Sequence, residues 1–426
     1  MSRGSLKTPL PAQPGGILER ITPGQLSPGK WSSSSNFLVR DGMGQARFGY
    51  ERVGTAAVAA ADRIIGIGFR GSATDGTNVV LHTLTAAYSW NGTAFTAITG
   101  TWTASTATEP VRFTTFVQSS TLRLIRCNPD NAPDYWNGTG SFVDVGGSPP
   151  AGIDITTTNG RVVVFKAGGN TRRVQWSNFN DSDTWTAADF ADLDDTSDDV
   201  VAGRAFGPLS MAVYKEDSVW LGVAQAAATP FRFQMVSVTP GPISPNALVV
   251  WRGIHYWLAK DGVTYSFDGT AVKPIGVDMS VTVNTTLSFE QRAQSCAFVL
   301  GLQEPELWVF FPRLTVNTNT RAICLNLTTG AMSLHATAHD IGAGADWTAR
   351  AALTWDDLTG TWDTLSNTYA TWNAMATGST LTAILGDANG NVYRYNIGVT
   401  DNGTAIAWEF VSDWKAPAGD DNVYVD

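Results

Sequence analysis

The sequence predicts an all-β chain of repeated small sheets, and three observations lead there. An aromatic strand end runs into a tight turn three times: Tyr88-Ser89-Trp90-Asn91-Gly92-Thr93, Tyr135-Trp136-Asn137-Gly138-Thr139 and Tyr265-Ser266-Phe267-Asp268-Gly269-Thr270. Asn-Gly and Asp-Gly accept the positive φ of a two-residue type I′ hairpin, and the aromatics suit a half-buried pleated surface. The turns at Asn91, Asn137 and Asp268 lie 46 and then 131 residues apart, the second gap being close to three of the first. A period of about 45 residues made of short strands marks a radial array of blades. Composition agrees: 15% charged residues, 42 Gly and 16 Trp in 426 residues suit turn-rich sheets and not helices. The expected fold is a β-propeller of about seven blades, with six to eight compatible with the uneven turn spacing.

Residues 1–60 read as an extended N-terminal arm with the first strands, and 61–426 as the propeller. Pro9, Pro11, Pro14, Pro23 and Pro28 fix φ and remove backbone donors, so the arm stays out of any sheet interior. Ile17, Leu18, Ile21, Leu26 and Trp31 are spaced apolar anchors, which a disordered tail seldom carries; they are expected to order the arm against the body or a neighbouring subunit. Candidate blades fall near 64–98, 111–145, 153–190, 205–238, 247–275, 294–337 and 379–412. The continuous apolar runs Val162-Val163-Val164-Phe165, Leu248-Val249-Val250-Trp251 and Leu307-Trp308-Val309-Phe310-Phe311 suit doubly buried inner strands. Two stretches interrupt the pattern. Asp189–Asp199 holds six aspartates and reads as a solvated acidic loop. Residues 347–375 carry Thr354-Trp355-Asp356, Thr361-Trp362-Asp363 and Thr371-Trp372-Asn373, and read as a protruding loop pinned by its aromatics.

The candidates for chemistry are few. His335 and His339 have i, i+4 spacing, but no Glu follows His335 as a zinc-protease helix requires. With His82 and His255 they read as satisfied strand or loop histidines. No Gly-x-Ser-x-Gly elbow, Walker loop or Cys-x-x-Cys occurs, and no sialidase Asp-box; Asp181-Ser182-Asp183-Thr184-Trp185 comes nearest and lacks the glycine. Clustered carboxylates at 189–199 are a calcium chemistry, but the Gly and terminal Glu of an EF-hand are missing. Trp355, Trp362 and Trp372 are a stacking chemistry for sugars, with loop anchoring the commoner use. Cys127, Cys296 and Cys324, odd in number and far apart, read as buried thiols. No catalytic, cofactor or metal residue is assigned, and no enzyme is expected.

Charge and hydropathy narrow the partners. A net charge of −10 lacks the basic face of a nucleic-acid grip, yet suits a wall past which DNA slides without sticking. No run of 18 apolar residues exists, so no membrane span is expected. Met1-Ser2-Arg3-Gly4 leads into Pro and Gly with no apolar h-region. No secretory signal is therefore expected, and the Asn-Gly-Thr sequons at Asn91, Asn137 and Asn402 read as turns.

Several stretches in order resemble the propeller-bearing tail nozzle, tail-tubular and head-to-tail hub proteins of short-tailed phages. Gly16-Ile17-Leu18-Glu19-Arg20-Ile21-Thr22-Pro23 and Pro28-Gly29-Lys30-Trp31 lead to Asn36-Phe37-Leu38-Val39-Arg40-Asp41-Gly42 and Arg47-Phe48-Gly49-Tyr50. Val174-Gln175-Trp176-Ser177-Asn178 precedes the acidic segment, and Met211–Trp220 carries a Lys215-Glu216-Asp217-Ser218 turn. Ile243-Ser244-Pro245-Asn246-Ala247, Tyr256-Trp257-Leu258-Ala259-Lys260-Asp261-Gly262-Val263 and Asp401-Asn402-Gly403-Thr404 follow. The similarity covers most of the chain in short motifs, and the chain is much shorter than the large nozzle proteins. The resemblance implies a structural virion protein, made in the host cytoplasm and placed in the virion tail. It would form a homo-oligomeric ring of six copies, join neighbouring tail or adaptor proteins, hold packaged DNA and conduct it at ejection with only transient, non-specific contact. Two alternatives stay open at this point: a receptor- or glycan-binding tail module, and a propeller glycosidase or lyase.

Overall fold

Seven antiparallel sheets follow one another around a ring in the computed structural model, which describes residues 16–18, 30–40, 43–54, 56–71, 79–90, 94–227, 229–301, 304–348 and 381–412. From the inside outwards, blade 1 is Ile64–Phe69, Val79–Thr83, Ala87–Trp90 and Phe95–Ile98. Blade 2 is Arg112–Gln118, Thr121–Asn128, Asn131–Trp136 and Val143–Asp144. Blade 3 is Asp154–Thr158, Arg161–Phe165, Arg173–Trp176 and Phe190–Asp192. Blade 4 is Val200–Ala205, Ser210–Lys215, Val219–Ala224 and Phe231–Ser237. Blade 5 is Leu248–Trp251, Ile254–Leu258, Thr264–Phe267 and Val272–Gly276. Blade 6 is Cys296–Leu300, Glu306–Phe311, Arg321–Asn326 and Met332–Ala336. In blade 7, Ile341–Thr348, Leu381–Asp387 and Val392–Tyr395 are completed by Tyr50–Arg52, which pairs antiparallel with Val392–Tyr395. The first strand of blade 7 adjoins that of blade 1 and closes the circle. The molecule is an all-β, seven-bladed propeller.

Period-2 alternation explains how the blades stack. In blade 6, Leu307, Val309 and Phe311 face the blade 5 side with Tyr256 and Leu258. Trp308 and Phe310 face the blade 7 side with Leu385, Tyr393 and Tyr395. Every residue of Glu306–Phe311 is therefore buried, which accounts for its unbroken apolar run. Between blades 3 and 4, Trp176 meets Phe231 edge-on at 5.3 Å. Gly203 is needed at the same interface, because a Cβ there would stand 2.2 Å from the Phe165 ring.

Three expectations are corrected. The last blade is not confined to 379–412, although its second and third strands lie there. It opens at Ile341, its first hairpin is interrupted by the Trp-rich stretch, its fourth strand is Tyr50–Arg52 from the segment expected to hold the arm and first strands, and the sheet continues through Thr400–Asp401 and Thr404–Ala405. Leu248–Trp251 is not doubly buried: Val250 is 39% exposed, because a first strand turns one set of side chains toward the axis. Nor are the second and third aromatic turns type I′; the first, at Asn91-Gly92, lies outside the described residues. Gly138 and Gly269 have φ of 104° and 89°, while Asn137 and Asp268 keep negative φ. Asn137 instead accepts from the Thr139 amide, and Asp268 from the amides of Thr270 and Ala271, the side-chain turn that Asx residues make.

Outside the ring, Gly16–Ile17 pairs in parallel with Lys30–Ser35, which pairs antiparallel with Glu409–Ser412. This small sheet, with the hairpin of Phe37–Arg40 and Met43–Ala46, lies along the outer strand of blade 6. Ile17 and Trp31, 2% and 1% exposed, share a core with Phe37, Val39, Ile323, Leu325 and Met332. These two anchors are thus seated on their own chain and not presented to a neighbour. Leu18 is half-buried, its amide donating to the Trp31 carbonyl at 3.0 Å. Ile21, Leu26, Trp355, Trp362 and Trp372 lie outside the described residues.

Candidate functional site at the ring seam and the propeller axis

An N-terminal segment at 36–50 and a C-terminal one at 401–407 meet in a clasp beside blades 6 and 7. Arg47 donates to Asp401 Oδ1 at 2.7 Å and Oδ2 at 2.5 Å, to Asn36 Oδ1 at 3.0 Å, and to the carbonyls of Phe48 and Ala336 at 3.0 and 2.7 Å. Its five N–H groups thus have five acceptors, which a buried guanidinium needs. Asn36, in the left-handed region at φ 54°, also accepts the Ala336 amide at 2.9 Å and donates to the Ala407 carbonyl at 2.7 Å. Two strands further into blade 6, Arg40 forms a bidentate pair with Glu306, whose Oε2 also accepts from Trp308 Nε1 at 3.0 Å. Burial opposes the charges on Arg40 and Arg47, but the hydrogen bonds to Glu306 and Asp401 outweigh it and hold both guanidiniums above their ordinary range. Tyr50 adds a 2.8 Å hydrogen bond to His339 Nδ1.

A second polar network occupies the axis. Asp154, fully buried at the start of blade 3, pairs with Arg112 of blade 2 at 3.2 Å and with Arg204 of blade 4, and accepts the amides of Gly203 and Ile155. Burial pushes Asp154 up to about 6, against the pull of Arg112 and these amides. From the 3-10 turn that leads into blade 5, Asn246 donates to the Ile65 carbonyl of blade 1 at 3.1 Å and accepts from Arg112. Blades 5 and 1 are not neighbours in a seven-blade ring, so this bond bridges the centre. The turn is set by Ser244, which caps the Asn246 amide at 3.2 Å and reaches the Ala293 carbonyl at 2.9 Å.

The acidic run is less solvated than expected. Asp192, Asp194, Asp198 and Asp199 pair with Arg173, Arg172, Lys215 and Lys166. Lys215, 0% exposed, donates to the carbonyls of Leu193 and Thr196, each at 2.9 Å, and to Thr196 Oγ1 at 2.6 Å. Asp198 Oδ2 accepts from Ser218 Oγ at 2.9 Å and the Asp217 amide at 3.0 Å. Burial would raise Asp198, but hydrogen bonds from Thr196, the Asp217 amide, Ser218 and Lys215 prevail and hold it at about 2. The Lys215–Ser218 turn of blade 4 thus grips the connection from blade 3.

The remaining sequence candidates are dispersed. His255 lies between Tyr214, at 2.8 Å, and the stacked Phe206 ring at 3.8 Å; burial lowers it to about 3. His335 sits on the outer strand of blade 6, bonded to Ser333 at 2.8 Å, and His82 lies 4.6 Å from the Trp102 ring. The cysteines are buried and unbridged, and burial pushes Cys296 up to about 12. Among the described residues no three His, Cys, Asp or Glu side chains are placed to hold a metal ion. Sequence reasoning quoted Arg40, Arg47, Lys215, Asn246 and Asp401 without giving them roles, and passed over Glu306 and Asp154. The available signal was a single charge set into an apolar strand, as Glu306 is before Leu307-Trp308-Val309, since a charge in such a place needs a partner.

No family model matches the sequence, and no curated protein does. Among solved structures it is similar to the computationally designed protein Ika8, 12% identical, over 82% of this chain and 100% of that one, with a TM-score of 0.43. It is also similar to YCF48 bound to D1 peptide, 11% identical, over 85% of this chain and 99% of that one, again with a TM-score of 0.43. Likeness at this level assigns no activity.

Proposed function

We propose that the chain is a non-enzymatic structural protein of a tailed-phage virion, a nozzle or hub subunit whose copies ring a channel for DNA. The observation that carries the reading is where the phage-like motifs fall. The Asn36–Tyr50 and Asp401–Thr404 stretches make the clasp, Lys215–Ser218 binds one blade to the next, and Ser244-Pro245-Asn246 bridges the axis. Residues that carry the resemblance are engaged in closing and stiffening the block, which is what a part under mechanical load requires.

The bridged axis bears on how a conduit would be built. The major groove of duplex DNA alone is about 12 Å wide, and an axis crossed by an Asn246 hydrogen bond does not admit it. The channel would therefore lie between copies, arranged head to tail with a contact that closes by rotation. A charge of −10 per copy repels phosphate and favours sliding over binding. Six copies and contacts with neighbouring tail or adaptor proteins belong to this proposal.

Electron microscopy of purified particles, with mass spectrometry of their proteins, tests it. The expected result is a six-fold ring of this chain coaxial with the tail. Its absence from particles, its presence only as isolated fibres, or turnover of a polysaccharide by the purified chain would overturn the reading.

A further inference from the structure

The outer strands of the seven blades are guarded unequally. Those of blades 1, 2 and 3 are only four, two and three residues long. Blade 5 carries Lys273 and Pro274 in its outer strand, blade 6 is covered by the arm, and blade 7 continues past Tyr50–Arg52 into the two-residue strands Thr400–Asp401 and Thr404–Ala405. Short length, lysine, proline and cover are the usual means of keeping a sheet edge from pairing with another chain. Blade 4 lacks them. Its outer strand Phe231–Ser237 is seven residues long, holds no Lys or Pro, and has no strand on its free side among the described residues. A bulge near Val236 leaves Phe231–Met235 regular. Met235 and the flanking Val223 and Val238 are 47%, 40% and 77% exposed. Beside it lies a shallow hollow of about 240 Å³ lined by Val223, Ala224, Gln225, Arg232 and Gln234.

We propose that this edge pairs with the same edge of a second copy, antiparallel about a two-fold axis, so that two blades become one eight-stranded sheet. The strand's chemistry selects that occupant. Copies of a chain with net charge −10 repel one another over most surfaces, but Phe231–Ser237 carries no carboxylate and one cation, Arg232. Antiparallel self-pairing sets Arg232 opposite a neutral residue in every register except the one centred on Arg232 itself. With the two-fold at Phe233, Arg232 faces Gln234 and Phe231 faces Met235, and the hollow gives room to side chains of the incoming strand. The contact is isologous, unlike the head-to-tail contact of the proposed ring, and stands or falls without it.

Sedimentation velocity of the full chain over a concentration series tests the pairing. The expected result is a reversible monomer–dimer equilibrium. Met235→Lys weakens it at least tenfold without changing the melting temperature, while Val250→Lys, on blade 5, leaves it unchanged. As a check independent of that variant's folding, Gln234→Cys forms a disulfide-linked dimer with oxidised glutathione faster than Val250→Cys does. A monomer at every concentration, a dimer indifferent to Met235→Lys, or equal cross-linking at the two positions would overturn the proposal.

Discussion

The ring seam and the propeller axis both join residues far apart in the chain, but they do so with different bonds. At the seam, two arginines each grip one carboxylate with both oxygens, and the side chains of Arg47 and Asp401 are 1% and 4% exposed. At the axis, one carboxylate is shared by Arg112 and Arg204, 18% and 12% exposed, and an asparagine supplies single bonds across the centre. The seam has the harder task. A propeller ring is continuous in covalent bonds everywhere except where its ends meet, and that gap here holds the three-residue strand Tyr50–Arg52. A short strand contributes little pairing, so buried ion pairs take over the closure. The axis has neighbours on all sides and needs only to be filled and satisfied.

The contrast is broken most sharply at Arg47. Arg47→Ala leaves Asp401 buried without its cation, and a loss of about 3–5 kcal/mol is expected from chemical denaturation. Asp154→Ala at the axis frees two partly exposed arginines, of which Arg204 keeps the carbonyls of Gly203 and Pro245 and Arg112 keeps Asn246 Oδ1. A smaller loss of about 2–3 kcal/mol is expected there. Equal losses at the two sites would remove the distinction.

Acidity sharpens it further, because a half-buried aspartate and a fully buried one respond with opposite sign. Asp198 is held at about 2, below the usual value of about 3.9. Its contribution is therefore present above pH ~4 and is lost as pH falls toward 2. Asp154 is raised to about 6, so folding favours its protonated form. Its contribution is complete below pH ~4 and declines as pH rises through 6. Stability measured against pH is expected to have a shallower acid limb in Asp198→Asn, where Asp181, Asp192 and Asp199 still contribute, and a reduced slope between 4 and 6 in Asp154→Asn.

Legibility in the sequence followed how local each feature is. Blades 1 to 6 could be read because each is a run of adjacent hairpins, and the aromatic turns mark the passage from third to fourth strand in blades 1, 2 and 5. Blade 7 could not, since its fourth strand comes from Tyr50–Arg52 and its first hairpin is split by an insertion that breaks the period. Ile17 and Trp31 were readable as anchors from their apolar spacing, but which surface they seat on was not. The clasp, the axis and the Lys215 grip were hidden for one physical reason. A buried charge announces that it needs a partner, while the partner is chosen by the closed ring: Asp401 for Arg47, Glu306 for Arg40, Asp198 for Lys215.

A double-mutant cycle of Arg47→Ala and Asp401→Ala tests the central claim most directly, that the motif residues of the N-terminal and C-terminal segments act together to lock the ring. The expected result is a coupling of about 2–3 kcal/mol, so that the double variant loses that much less than the sum of the two single losses. Losses that add to within about 0.5 kcal/mol would contradict it, because the two residues would then stabilise the chain independently and the seam would be closed by something else.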